Sequence, residues 1–147
     1  VRSATVDVAG ERVADIKSGI VVLLGVGAKD RPEDGERLAA KIAALRIFEE
    51  AGKMQRALAD VRGMVLAVPQ FTLYGDARHG RRPEFTAAAP PELGKRLFEA
   101  FCGNLRGAGL EVRQGRFGAA MLVNIEADGP VTLAFSTDGW RESELGS

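Results

Sequence analysis

Gln70, Phe71 and Thr72 place a carboxamide, an aromatic ring and a hydroxyl on three consecutive residues. They follow Pro69 and the apolar run Met64–Val68, which reads as a buried strand, a rigid base for a site. Pro69 has no N–H and therefore marks an edge or an end of strand pairing. Beyond it the backbone N–H groups of Phe71 and Thr72 are free to serve a ligand. Such donors on a stiff strand end form an oxyanion hole, so the chemistry favoured is polarisation of a carbonyl. No nucleophile–base pair is legible. His79, the one histidine, lies in a polar stretch without matched Ser and Asp partners. Thr72 would need an adjacent base to act as a nucleophile. A second stretch, Asp128-Gly129-Pro130-Val131-Thr132, looks like a counterpart to the first. Gly129 permits close approach and unusual dihedrals. Pro130 is able to hold a cis bond, although an isolated Gly-Pro is usually only a turn. The two stretches are expected to meet across a dimer interface.

These residues need a scaffold, and 147 residues with 46% hydrophobic and 27% charged content supply one packed domain. Formal net charge is zero, so bulk electrostatics do not drive the chain onto nucleic acid or anionic membrane. Any RNA contact must come from a local patch. The longest apolar run, Ile20–Val26, is too short to span a bilayer, and Val1–Gly10 alternates in a way unlike a signal peptide. The single Cys102 excludes an internal disulfide and fits a cytoplasmic protein; beside Phe101 it reads as a packed thiol. One His, one Cys and no ligand spacing argue against a metal, and no cofactor is expected.

Ala4, Val6 and Val8 alternate with polar residues as a half-buried strand does, and Ala9–Arg12 reads as a hairpin turn. Ile16–Val26 contains a strand buried on both faces. Pro32 with Glu33 and Asp34 starts a helix carrying Leu38, Ile42 and Leu45, which Gly35 slightly weakens. Leu45–Phe48 reads as a short strand ended by Glu50–Lys53, and Met64–Leu73 as the central strand. Tyr74–Pro83 is a polar loop. Pro90-Pro91-Glu92 opens a second helix with Leu93, Leu97, Ala100, Phe101 and Leu105 on one stripe. Leu110–Gly115 reads as a short strand and turn, and Ala119–Ile125 and Val131–Phe135 as two further strands. The expected architecture is α+β: antiparallel and mixed sheets forming a barrel-like core with two helices, over residues 1–137. Residues 138–147 are expected to trail as a polar tail.

Several segments in order carry a resemblance: Leu45-Arg46-Ile47-Phe48 with Gly52-Lys53-Met54, Gln70-Phe71-Thr72-Leu73, Gly80-Arg81-Arg82-Pro83 with Phe85, Gly115-Arg116-Phe117-Gly118, and Gly129-Pro130-Val131-Thr132. Each alone is weak, but together they make the chain resemble the D-aminoacyl-tRNA deacylase family over nearly its whole length. The resemblance implies a homodimer that hydrolyses the ester joining a D-amino acid, or glycine, to tRNA. It implies that each subunit's Gly129-Pro130, in cis, enters the partner's site, holds the substrate α-amino group and excludes an L side chain. It assigns the ester carbonyl to the backbone of Gln70, Phe71 and Thr72. Arg81 and Arg82 suit the phosphates of the tRNA acceptor end, and Phe71 and Phe117 suit stacking on its terminal adenine. Arg78, Arg113 and Arg116 are weaker phosphate partners, and Met121 could face the cavity.

Three departures bear on substrate range. The family usually has Ser where Pro69 stands, whereas a related animal group that removes L-alanine from the wrong tRNA has Pro there. It usually has Asn where Ala127 stands. Its chains normally begin several residues earlier, with a strand ending in Gln-Arg. The alternatives are an editor of L-alanyl-tRNA, prompted by Pro69, and a nucleic-acid-binding module without catalysis.

Overall fold

The computed structural model describes residues 1–140. β1 (Ser3–Val8) and β2 (Glu11–Ile16) form an antiparallel hairpin, with β8 (Leu122–Glu126) on the other side of β1. The turn is Ala9-Gly10, with φ of 50° and 80°. Two consecutive positive φ values give the turn a twist that matches that of the strands it joins. The same Ala-Gly device, Ala51 (φ 50°) and Gly52 (φ 79°), joins β4 (Phe48–Glu50) to β5 (Lys53–Arg56).

The second sheet is all parallel, in the order β3 (Gly19–Leu24), β6 (Met64–Pro69), β7 (Glu111–Gln114). Parallel neighbours require long crossovers. α1 (Pro32–Ala44) lies in the first and α2 (Pro91–Gly107) in the second. α1 opens at Arg31, whose N–H donates to Asp34 Oδ2 at 2.8 Å, with Pro32 following it in the first turn.

The strand β6 joins two cores. Val65 and Ala67 face a cluster with Phe98, Phe101, Cys102 and Leu105 of α2 and Ala39 and Ile42 of α1. Leu66 and Val68 face the other side, against Ala4, Val6, Ala14 and Ile16 of the β1–β2 hairpin. All four β6 residues have 0% relative exposure. A strand covered on both faces reads as a continuous apolar run, as Met64–Val68 does.

The structure changes several expectations. The sheets are two separate three-stranded units and a two-stranded hairpin, and no closed barrel forms among the described residues. The central strand stops at Pro69, and Phe71–Tyr74 is a 3-10 turn rather than extended chain. Residues 45–47 are not a strand; pairing begins at Phe48 as half of the β4–β5 hairpin. On α2 the buried stripe is Gly94, Leu97, Phe98, Phe101, Cys102 and Leu105, leaving Ala100 exposed. Ala119 belongs to a turn, its N–H donating to Arg116 O at 3.2 Å, and β8 starts only at Leu122. Val131–Phe135 alternates as a strand does, yet pairs with nothing among the described residues. Periodicity records which residues seek cover, not whether a ladder partner exists in the same chain. The last seven residues of the expected tail, 141–147, lie outside the described ones.

Candidate functional site

Pro69 pairs with Leu24 at the last register position of β3–β6, and Gln70 N–H continues the ladder one step to Leu24 O at 2.8 Å. The chain then coils tightly. Leu73 N–H donates to Gln70 O at 3.3 Å and Gly75 N–H to Thr72 O at 2.9 Å. The N–H groups of Phe71 and Thr72 are the first of this turn and have no acceptor within it. Pairing therefore stops one residue past Pro69, and the two main-chain donors stand just beyond a fully buried strand.

Their side chains are exposed and that of Gln70 half-buried. Gln70 Nε2 donates to Thr72 Oγ1, which ties the carboxamide to the hydroxyl across the turn. Phe71 meets the edge of Phe85 in a T-shaped contact, with centroids 5.2 Å apart and planes at 71°. Phe85 follows the loop that carries Arg81 and Arg82, which is closed by the Asp76–Glu84 bridge. Both arginines are exposed on it. Arg78 instead grips Asp76 through Nη2 at 2.6 Å and Nε at 2.9 Å, which holds that carboxyl below its ordinary range. Arg113 is paired with Glu111 at 2.7 Å.

The end of β7 lies against the same strand end. A Cβ on Gly115 would stand 3.5 Å from Pro69 Cδ and 2.8 Å from Met121 Sδ. Gly115 N–H donates to Ala67 O at 2.8 Å. Phe117, two residues on, is half-buried against Gly94 of α2 and the helix-side core.

Gly129-Pro130 is a cis peptide, with Gly129 at φ 118°. Its loop is exposed and anchored by Arg2 Nε to Asp128 Oδ2 at 3.1 Å, and by Ser3 Oγ to Glu126 Oε2 at 3.1 Å. An ion pair this exposed orients the loop more than it stabilises it. Downstream, Val131–Phe135 and the edge strand β3 line a cleft of about 700 Å³ that Leu73 and Tyr74 also enter. Two residues at this cleft escaped sequence reading. Tyr74 lies over Gly25 and Gly27, and the Asp30 carboxylate accepts the Gly27 N–H at 2.7 Å. The signal available was the pair of glycines directly after an apolar strand.

Fold and turn together define a single-domain α+β protein whose central strand ends in a tight turn with two main-chain N–H groups unbonded within it, a geometry suited to polarising a carbonyl. A family profile described as D-Tyr-tRNA(Tyr) deacylase matches residues 1–136. D-aminoacyl-tRNA deacylase of Thermus aquaticus is 55% identical over 133 residues, covering 90% of this chain and 88% of that protein. The protein of that name from Heliobacterium modesticaldum is 56% identical over 129 residues, 87% and 86% of the two chains. Among solved structures, the c-Myc DNA Unwinding Element Binding Protein superposes with a TM-score of 0.83 at 38% identity, covering 90% of this chain and 91% of that one. A probable eukaryotic D-amino acid tRNA deacylase shares the fold, with a TM-score of 0.74 at 18% identity over 84% and 88% of the chains. The chain belongs to the D-Tyr-tRNA(Tyr) deacylase family, enzymes that hydrolyse the aminoacyl-tRNA ester.

Proposed function

We propose that this protein hydrolyses the ester of D-aminoacyl-tRNA, and of glycine mischarged on alanine tRNA, as a proofreading homodimer. The observation that carries this reading is the placement of Gln70-Phe71-Thr72: a family motif standing where a rigid strand releases two main-chain donors. The N–H groups of Phe71 and Thr72 receive the ester carbonyl and hold the oxyanion as water adds to the carbon. The C–O bond to the terminal ribose then breaks, the ribose oxygen takes a proton, and the free amino acid leaves as its carboxylate. Water is positioned by the site and by the neighbouring ribose hydroxyl, so no side-chain nucleophile is required. An aminoacyl ester is activated, and a modest electrostatic catalyst suffices.

In this reading chirality is read by the partner. Gly129 and Pro130 of one subunit enter the other's site, bind the α-amino group and leave no room for an L side chain. Main chain makes a better wall than a rotatable side chain. The exposed Arg81 and Arg82 take phosphates of the acceptor end, and Phe117 lines the adenine pocket. The unpaired, half-exposed Val131, Leu133 and Phe135 supply the apolar surface a homodimer would cover.

The test is release of amino acid from D-Tyr-tRNA, Gly-tRNA and L-Ala-tRNA, with L-Tyr-tRNA as control. Release from the first two with the control spared is expected. Release from L-Ala-tRNA alone would instead favour the editing role that Pro69 suggests. No release from any would leave a nucleic-acid-binding module.

A further inference from the structure

The two glycines beneath Tyr74 are not there for their dihedrals, because neither Gly25 nor Gly27 has a positive φ. Space explains them. A Cβ on Gly27 would stand 2.6 Å from the Tyr74 hydroxyl oxygen and 2.9 Å from Cζ. One on Gly25 would stand 3.2 Å from both Tyr74 Cε2 and Leu73 Cβ, and 3.3 Å from Gln70 O. The tyrosine ring thus lies directly on bare backbone, and the whole 70–74 segment leans on the same support.

That support is itself fixed on several sides. Leu24 O takes the Gln70 N–H at 2.8 Å, Val26 O takes the Ala89 N–H at 2.9 Å, and Ala28 N–H donates to Ala87 O at 2.9 Å. Asp30 closes the loop below: its Oδ2 accepts the Gly27 N–H at 2.7 Å, and its own N–H donates to Gly27 O at 3.1 Å. Burial, and then the charge of Asp30, raise the Tyr74 pKa above its ordinary value. The phenol stays protonated and able to donate to that carboxylate. Phe85 braces the other flank, with Cε1 3.0 Å from where a Gly75 Cβ would be.

We infer that Tyr74 is a positioning residue: its ring, seated on Gly25 and Gly27 with the hydroxyl towards Asp30, sets the orientation of the 71–74 turn and so aims the Phe71 and Thr72 N–H groups at the bound carbonyl. The inference rests on the catalytic reading of that turn given above. Tyr74 touches no reacting atom in this account. Its effect is on aim, and small displacements of preorganised donors are costly to rate.

The experiment compares Tyr74→Phe, Asp30→Ala, the double variant and Gly27→Ala with the wild type. It measures kcat and KM on D-Tyr-tRNA, and amide hydrogen exchange at Leu73 and Gly75. Tyr74→Phe keeps the ring and most packing, so the fold survives. It should lower kcat about three- to tenfold, leave KM within about twofold, and speed exchange at both amides. The double variant should be no slower than the slower single one if the hydroxyl acts through that carboxylate, and losses that add would overturn this part of the inference. Gly27→Ala should reproduce the kcat loss by lifting the ring. Full kcat in both Tyr74→Phe and Gly27→Ala would overturn the inference, as would a loss of kcat with exchange unchanged. If the wild type releases no amino acid from any of the three substrates, the underlying reading falls and takes this one with it. That failure is distinct, since failure of the clamp alone leaves the wild type active.

Discussion

Leu133→Asp separates the chain's own fold from the assembly proposed for it. Leu133 is 51% exposed, between Val131 at 45% and Phe135 at 43%, on a segment with no ladder partner among the described residues. Burying a fully exposed Val, Leu or Phe contributes roughly 1.5–3 kcal/mol, so a half-exposed one has about 1 kcal/mol left to gain. Three such residues on each of two symmetric subunits offer about 6 kcal/mol towards association, before the cost of lost freedom. Leu133→Asp removes two of these contributions and sets two carboxylates into the interface. The dimer should weaken by at least about 3 kcal/mol, or more than about 100-fold in Kd. Within one chain the position is already half in water, so by the same measure the subunit's folding free energy should fall by only about 1 kcal/mol. Sedimentation velocity across a dilution series reads the association, and circular dichroism reads the fold. Deacylation should fall with the dimer, because in the proposed function each site borrows its Gly129-Pro130 from the partner. Unchanged sedimentation would refute this account of the interface. A folded monomer with wild-type kcat and the same preference for D over L substrate would refute the borrowed site.

Three further outcomes follow from separate parts of the molecule. Thr72→Ala should cost about two- to tenfold in kcat, about 0.4–1.4 kcal/mol, because it unties Gln70 but leaves both N–H donors; near-total loss with a trapped acyl-threonine would sink the water mechanism. Cys102, pushed up to about 12 by burial and further by Glu99 against the opposing pull of Arg106, should resist iodoacetamide in the native state at pH 9, with about 500-fold less thiolate than a free cysteine. Since its folded pKa is raised, its contribution to stability is fully present below pH 9 and is lost as pH rises towards 12, which urea titrations between those values should register. Gly35→Ala should stabilise by about 0.5–1 kcal/mol in urea, because the added methyl would meet only Phe101 Cβ at 3.9 Å; a destabilised variant would show that the α1–α2 contact has no room for it.

Sequence made some features legible and hid others for identifiable reasons. Met64–Val68 declared itself because a strand covered on both faces has no polar position to blur it. Pro69 declared the end of that strand because it lacks a donor. The 3-10 turn after it was hidden: Phe71-Thr72-Leu73-Tyr74 is as compatible with extended chain, and the bare backbone of Gly25 and Gly27 on which it packs lies some 45 residues earlier. The parallel order β3-β6-β7 was equally invisible, since adjacency in a sheet is decided by crossover packing and not by any one segment. Val131–Phe135 gave the right period and the wrong element. Its alternation is real, but the cover it seeks is not within the described chain. For Gln70, Phe71 and Thr72 the residue types pointed to a strand end, and the two donors unbonded within the turn are a geometry that types alone could not give.

The two-core role of β6 also constrains what kind of catalyst this chain can be. Every side chain from Val65 to Val68 is committed to packing, alternately against the helices and against the β1–β2 hairpin. None is available to act on a ligand, so the strand offers chemistry only where it ends, and there it offers amides. Amides polarise a carbonyl but do not distinguish the hands of a neighbouring carbon unless a second rigid surface stands opposite. In this chain the Gly129-Pro130 loop is tethered to Arg2, just before the central strand of the other sheet, and no hydrogen bond joins it to the 70–72 turn among the described residues. A site made this way divides its labour. Under the proposed function rate would reside in the strand end and selectivity in a separate loop, with the half-exposed segment 131–135 as the surface on which two subunits would bring them together. Damage to the loop should therefore lower the preference for D over L substrates as well as the rate, and damage to the turn should slow every substrate alike without changing that preference.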